Sequence, residues 1–244
     1  MVVTLIANYN YGKYLIDAID SALNQTVENF IVFVDDFSVD NSVSLAANKL
    51  KTKFDKTITL KDMTFGLHRG ENSMVIQLGK NCGPSRARNI GISASLKFAD
   101  FYQILDADDI MYPNKIETLI KEMHDNIGVT YGDYDIINED HIITREYKQP
   151  FSMQSLMKEC IVHSGSLIRA NTLKQVVNQY GFYNETMRVA EDYDLWLRIA
   201  KHGWSIRHIA EPLTLVRTHS ENSTNSVPKH IWEDCWHKIC QNNS

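Results

Sequence analysis

The chain has 244 residues, 43% hydrophobic and 23% charged, with a formal net charge of −5. That length suits one large α/β domain, and the acidic balance leaves no basic surplus for non-specific nucleic-acid binding. Cys82, Cys160, Cys235 and Cys240 lack CxxC spacing and read as reduced thiols of a cytoplasmic protein, not as a disulfide framework or a zinc site. No run reaches the roughly 18 apolar residues of a membrane span. The chain opens directly into a strand pattern, without the basic start and cleavage site of a signal peptide.

In chain order, Val2 to Ala7 is an apolar run, followed by helical spacing at Leu15, Ile16, Ile19, Ala22 and Leu23. Phe30 to Val34 reads as a second strand, and Asp40 or Asn41 as the cap of a helix carrying Val43, Ala46, Ala47 and Leu50. Residues 57–78 read as a strand, a polar loop from Met63 to Asn72, and the strand Met74 to Leu78. Pro84 suits the first position of a third helix, and Phe101 to Leu105 is the next strand. Strands alternating with helices predict βαβ units and a mainly parallel central sheet flanked by helices.

After Pro113 a helix carries Ile116, Leu119, Ile120 and Met123, then Val129 to Ile137 is a strand and 138–165 is irregular. Two helices follow, Asn171 to Tyr180 and Asp192 to His202, with Gly181 and Gly203 as left-handed caps. Ser205 to Ala210 and Leu213 to Thr218 read as separate strands. Trp232, Cys235, Trp236 and Ile239 form an apolar helical stripe that packs on the body. Membrane-surface docking, or a homodimer, is the alternative use of that stripe.

Four polar signatures punctuate this pattern: Asn8-Tyr9-Asn10, Asp35-Asp36 with Ser38 and Asp40 behind them, Asp106-Ala107-Asp108-Asp109, and Glu191-Asp192 heading Tyr193-Asp194-Leu195-Trp196. The second and third end strands. In an open α/β sheet that edge is where ligands bind, and gathered carboxylates repel one another unless a cation neutralises them. Asp106 and Asp108 alternate to one side of an extended backbone, and hard carboxylate oxygens suit Mg²⁺ or Mn²⁺ bridging a phosphate. Asn81-Cys82-Gly83-Pro84 is a tight turn feeding a helix whose first turn carries Arg86 and Arg88, an anion-attracting arrangement. The bland alternatives are turn or helix caps for the acids and local ion pairs for the arginines. Trp196 reads as core, and His163 either touches a ligand or makes a local bond. GxGxxG and GxxxxGK[ST] are both absent, which removes support for dinucleotide and P-loop sites. A strand ending in DxD also occurs in aspartyl-phosphate phosphatases, but there it opens the fold. Receiver domains share the acidic pair with fewer elements.

In order, Asn8-Tyr9-Asn10, DDxSxDxS (Asp35 to Ser42), NxGxxxARNxG (Asn81 to Gly91), LDADD (Leu105 to Asp109) and EDYDLWLR (Glu191 to Arg198) resemble the family-2 glycosyltransferases, inverting enzymes of the GT-A fold. The resemblance implies a Rossmann-like single domain over 1–220, with a nucleotide-binding half to about 110, an acceptor half from 111, and a C-terminal helical tail over 221–244. It implies a nucleotide-sugar pocket, UDP most readily, lined by Ala7, Asn8, Tyr9, Asn10, Asp36, Arg86, Arg88, Asp106 and Ala107. It implies Mn²⁺ or Mg²⁺ at Asp108, with Asp106 and the His219 of Arg217-Thr218-His219, and Asp192 as general base with Glu191 beside it. The acceptor would be a glycan, a lipid-linked sugar or a protein, met in the cytoplasm or at a membrane periphery. Ala7 stands where the family usually has proline and Phe37 where it has glycine, which reshapes the base end of the pocket; residues 61–73 look like an insertion. A nucleotidyltransferase making nucleotide-sugars would want a glycine-rich basic loop, whereas Asn8 to Gly12 is followed only by Lys13. A non-catalytic nucleotide-sugar-binding module would need no Asp192.

Overall fold

A computed structural model describes residues 1–60, 63–220, 222 and 226–243. Strands β1 (Val2–Asn8), β2 (Asn29–Asp35), β5 (Ser73–Leu78) and β6 (Phe101–Asp106) form the parallel heart of one sheet. Alternation sets their faces: Val3 and Leu5 of β1 join one apolar cluster, Ile6 joins the other, and all are fully buried. Helices α1 (Gly12–Leu23), α2 (Ser42–Lys49) and α4 (Lys115–Lys121) cover one face, with Leu15, Ile19, Ala46 and Ile116 buried in it. Helices α3 (Pro84–Ser95) and α7 (Glu191–Lys201), with the last helix α8 (Lys229–Asn243), cover the other, through Ala87, Ile92, Trp196, Cys235 and Ile239. Trp196 is wholly enclosed, so it is core, and Trp236 of α8 stacks on Tyr193 at 5.6 Å.

The flanks depart from the expected parallel pattern, making the sheet mixed. Its order is β3-β4-β5-β2-β1-β6-β10-β8-β11-β7. The stretch expected as a polar loop is instead strand β4 (Met63–Arg69), antiparallel both to β5 and to β3 (Lys53–Leu60). Met63 and Leu67 are buried and Phe65 between them packs on the same apolar cluster, so alternate residues face the core. Positions 61 and 62 of the suspected insertion lie outside the described residues, as do 221, 223–225 and 244 of the tail. On the other side, β10 (Leu167–Arg169) runs antiparallel between β6 and β8 (Ile127–Ile137). Two reversals restore direction, so β8 runs with β6. Strand β11 (Ser205–Arg217) is parallel to β8 and takes both predicted strands into one, with irregular register around Pro212. Short β7 (Ile110–Met111) pairs with β11, and β9 (Ile143–Glu146) with β8. Helix α5 (Met153–Leu156) occupies part of the stretch read as irregular. Helix α6 (Ala170–Val176) stops well before Gly181, which lies instead in a turn bridged to Asn178. Gly203, by contrast, sits at φ 93° just past α7, the left-handed position a helix C-terminus favours.

Candidate active site

The carboxyl ends of β1, β2, β6, β8 and β11 share one edge, and the polar signatures assemble there. In the first layer the carboxylates are used by their own loops. Asp35 accepts from Asn8 Nδ2 (2.8 Å) and from the Ser38 hydroxyl (2.6 Å) and amide (2.9 Å). Asn10 Oδ1 accepts from the amide of Val39, and Asp40 from that of Gly12. The 9–12 and 36–41 loops are thus laced together. Asn10 and Phe37 take left-handed φ of 60° and 67°; Tyr9 and Phe37 stay exposed. Both oxygens of Asp36 accept backbone amides, of Cys82 and Gly83, at 2.7 Å. Burial pushes its carboxyl up to about 6, against the pull of those two bonds. Asp36 therefore anchors the turn that starts α3, where Gly83 has φ 87° and Pro84 follows. Ala7 is half-buried and Ala107 buried beside it on the edge.

Helix α3 runs close against the sheet because Gly91 has no side chain: a Cβ there would lie 2.3 Å from Leu5 Cδ1. That closeness carries Arg88 into the edge. Its guanidinium donates to Asp106 Oδ1 (2.8 Å) at the end of β6 and to Glu191 Oε1 at the head of α7. Tyr183 lies under it, the ring 5.4 Å away. Asn89 beside it donates to the Tyr183 carbonyl and accepts its amide, fixing the segment before α7. Arg86 pairs with Glu185 at 3.0 Å. Both arginines expected to meet an anion thus hold protein carboxylates: Glu185 and Glu191 come from about 100 residues further along the chain, and Asp106 from 18.

Asp106 accepts the Ser164 hydroxyl on its other oxygen (3.1 Å). Burial opposes its ionisation, yet Arg88, His163 and Ser164 together hold its carboxyl below the usual range. Asp108 differs. Its Oδ2 lies 3.1 Å from His219 Nε2 and accepts from Asn222 Nδ2 (2.8 Å), and both Asp108 and His219 are buried. The two meet because β7 pairs with β11 and Asp109 accepts the Arg217 amide (3.0 Å). Tyr14 packs on the His219 ring at 4.6 Å. Burial, then the charge of Asp106, raises the Asp108 carboxyl. A hard oxygen and an imidazole nitrogen, adjacent and short of positive charge, suit Mn²⁺ or Mg²⁺. They form a pair and no cage: among the described residues no three such side chains gather as a metal site.

Asp192 is half-buried on the first turn of α7, whose entry is bent by Ala190 at φ 57°. Among the described residues its sole hydrogen bond comes from the next amide, Tyr193 (2.8 Å). Burial, then Glu191, pushes its carboxyl up to about 7. The helix N-terminus would act the other way, but it is outweighed.

His163 makes the local bond, accepting the Gly165 amide, and stacks on Tyr134. The sequence reading missed Lys115, fully enclosed below the Asp106–Asp109 turn and donating to Thr214 (2.6 Å). Burial brings its ammonium down to about 8. It also missed Ser164 and Asn222. None of the three carries a spacing signal, because each acts through a side-chain contact distant in sequence: Lys115 with Thr214, Ser164 with Asp106, and Asn222 with Asp108.

Residues 4–181 match the family model Glycosyl transferase family 2. The chain belongs to glycosyltransferase family 2. Its relatives in the family include WfgD of Escherichia coli, a UDP-Glc:alpha-D-GlcNAc-diphosphoundecaprenol beta-1,3-glucosyltransferase, 31% identical over 82% of this chain and 70% of that one. An uncharacterised glycosyltransferase of Rickettsia prowazekii is 26% identical over 97% of this chain and 70% of its own. Among solved structures, S. aureus TarS 1-349 in complex with UDP superposes with a TM-score of 0.64 at 19% identity, covering 90% of this chain and 61% of that one. The longer TarS chain gives a TM-score of 0.68 at 17% identity, and this chain spans only 38% of it. These structures establish the shared GT-A fold. Among the described residues no helix is long and apolar enough to cross a membrane.

Proposed function

We propose that this chain transfers a sugar from a nucleoside diphosphate, UDP in the first instance, to a hydroxyl of a sugar-bearing acceptor, with inversion at the anomeric carbon. The observation that carries the reading is that Asp108, facing His219, and Asp192, on the first turn of α7, lie on one sheet edge, neither ion-paired with an arginine and both held above the usual carboxylate range. Each is suited to something the site would receive: a cation at Asp108 and a proton at Asp192.

Asp108 and His219 would hold Mn²⁺ or Mg²⁺, which when bound supplies positive charge to a departing diphosphate. The 9–12 and 36–41 loops would line the nucleoside end, with Tyr9 and Phe37 exposed beside it. Asp192 takes the proton of the acceptor hydroxyl as its oxygen attacks the anomeric carbon and the bond to the diphosphate oxygen breaks. A carboxylate poised near neutral pH suits that task, since it is ionised yet basic enough to pull. Attack from the face opposite the leaving group inverts the centre. The names of WfgD and of the TarS complex support UDP as nucleotide, and WfgD supports a diphosphate-lipid-linked sugar as acceptor.

The test is calorimetric titration of UDP with and without Mn²⁺, followed by UDP-release assays across UDP-sugars with sugar acceptors. UDP binding that ignores Mn²⁺, or the absence of UDP binding, rejects the reading.

A further inference from the structure

The site is assembled from two stretches that the sheet does not join directly: the Asp106–Asp109 turn after β6, and the head of α7. Among the described residues, the side chain that bridges them is Arg88. Arg88 is 8% exposed; one end of its fork holds Asp106 Oδ1 and the other Glu191 Oε1, the residue preceding Asp192. Its own position is set from below, because α3 is pressed on β1 and β2 at Gly91 and its first turn is pinned by Asp36. The next residue, Asn89, clamps Tyr183 and Glu185 of the segment leading into α7. Ala190 then adopts a left-handed φ of 57°, which costs a non-glycine residue free energy and persists only when its surroundings enforce it.

We infer that Arg88 is a positioning residue for transfer and not a ligand of the diphosphate: by holding Asp106 and Glu191 together it fixes the distance between the donor-side turn and Asp192. This rests on the proposed transfer reaction. Arginine suits the role because its planar guanidinium offers parallel donors to two carboxylates at once, which a lysine ammonium cannot match. Both partners are occupied by Arg88, and Asp106 is further held by Ser164, so the tie is closed without a bound anion. A misplacement of about 1 Å at a reacting group costs on the order of 100-fold in rate.

The test compares the full chain with Arg88→Lys and Arg88→Ala. Calorimetry measures UDP affinity with Mn²⁺, UDP release from UDP-glucose measures turnover, and hydrogen exchange follows the amides of residues 189–194. The expected result is UDP affinity within about threefold of the parent, equivalent to under 1 kcal/mol. Turnover falls on the order of 100-fold in Arg88→Ala and less in Arg88→Lys. Exchange at 189–194 accelerates, and added guanidinium ion partly restores both protection and turnover. Folding of Arg88→Lys is checked by unchanged exchange in β1. A loss of UDP affinity of about tenfold or more would make Arg88 a donor ligand, and unchanged turnover or exchange would also overturn the inference. Failure of the parent chain to bind UDP at all would instead reject the transfer reading.

Discussion

The acids at or just after the end of β2 and those that end or follow β6 or head α7 are settled in different ways. Asp35, Asp36 and Asp40 lie within short reach of backbone amides and hydroxyls in their own or adjoining loops, and they build the shape of those loops. Asp106 and Glu191 are settled across the fold, by Arg88. Asp108 and Asp192 have no arginine: Asp108 faces His219 and Asn222, and Asp192 accepts one backbone amide, so burial holds both carboxyls above the usual range. A carboxylate is stabilised as an anion by hydrogen bonds or by a cation, and burial without them raises its pKa. The site's reactive candidates are therefore those the surrounding protein leaves short of positive charge, and sequence signatures alone do not separate them from the structural acids beside them.

The largest effect should come from removing the unsatisfied acid on α7. Asp192→Asn is nearly isosteric, so UDP–Mn²⁺ affinity should hold while transfer falls by roughly 10²–10⁴; retained turnover would return Asp192 to the structural group. The same residue sets a pH dependence. Its carboxyl is raised to about 7 by burial and by Glu191. It acts as a base only when deprotonated, so turnover should be half-maximal near pH 7 and drop about tenfold per unit at lower pH. A flat profile from pH 6 to 8 would count against that assignment. Asp108→Ala should weaken Mn²⁺-dependent UDP binding by about tenfold or more, roughly 1.4 kcal/mol, measured by calorimetry. Equal UDP affinity with and without its carboxylate would remove Asp108 from the cation site.

Two substitutions address the framework. Gly91→Ala would drive a methyl into Leu5 and Val34, an overpacking that costs about 1–3 kcal/mol. It should also loosen the Arg88 tie, visible as a lower denaturation midpoint together with lower turnover. At the far edge of the sheet, Phe54 on β3 is 61% exposed, and Phe54→Ala should change stability by less than about 0.5 kcal/mol. A larger loss would mean that the β3–β4 hairpin contributes more to the fold than its exposure indicates.

Much of the first half was legible in the sequence because its signals are local. Apolar runs marked β1, β2, β5 and β6, and Pro84 the start of α3; in the second half Gly203 marked the end of α7. The Asn81–Gly91 motif pointed to the helix that matters, though not to its use: a helix N-terminus with two arginines looks like an anion site until acids from the second half close on it. Strand β4 turns only three alternate residues, Met63, Phe65 and Leu67, to the core, and β10 is three residues long, so neither carries a sustained local pattern. The sequence by itself determined the central parallel strands and the helices between them, the carboxylates at strand ends and the family they resemble, since periodicity and motif spacing are properties of neighbouring residues. Only the tertiary structure decided which acids are paired with arginine and which way the flanking strands run. Charge partners and strand registers are set by segments roughly a hundred residues apart, and nothing in local spacing specifies where those segments cross.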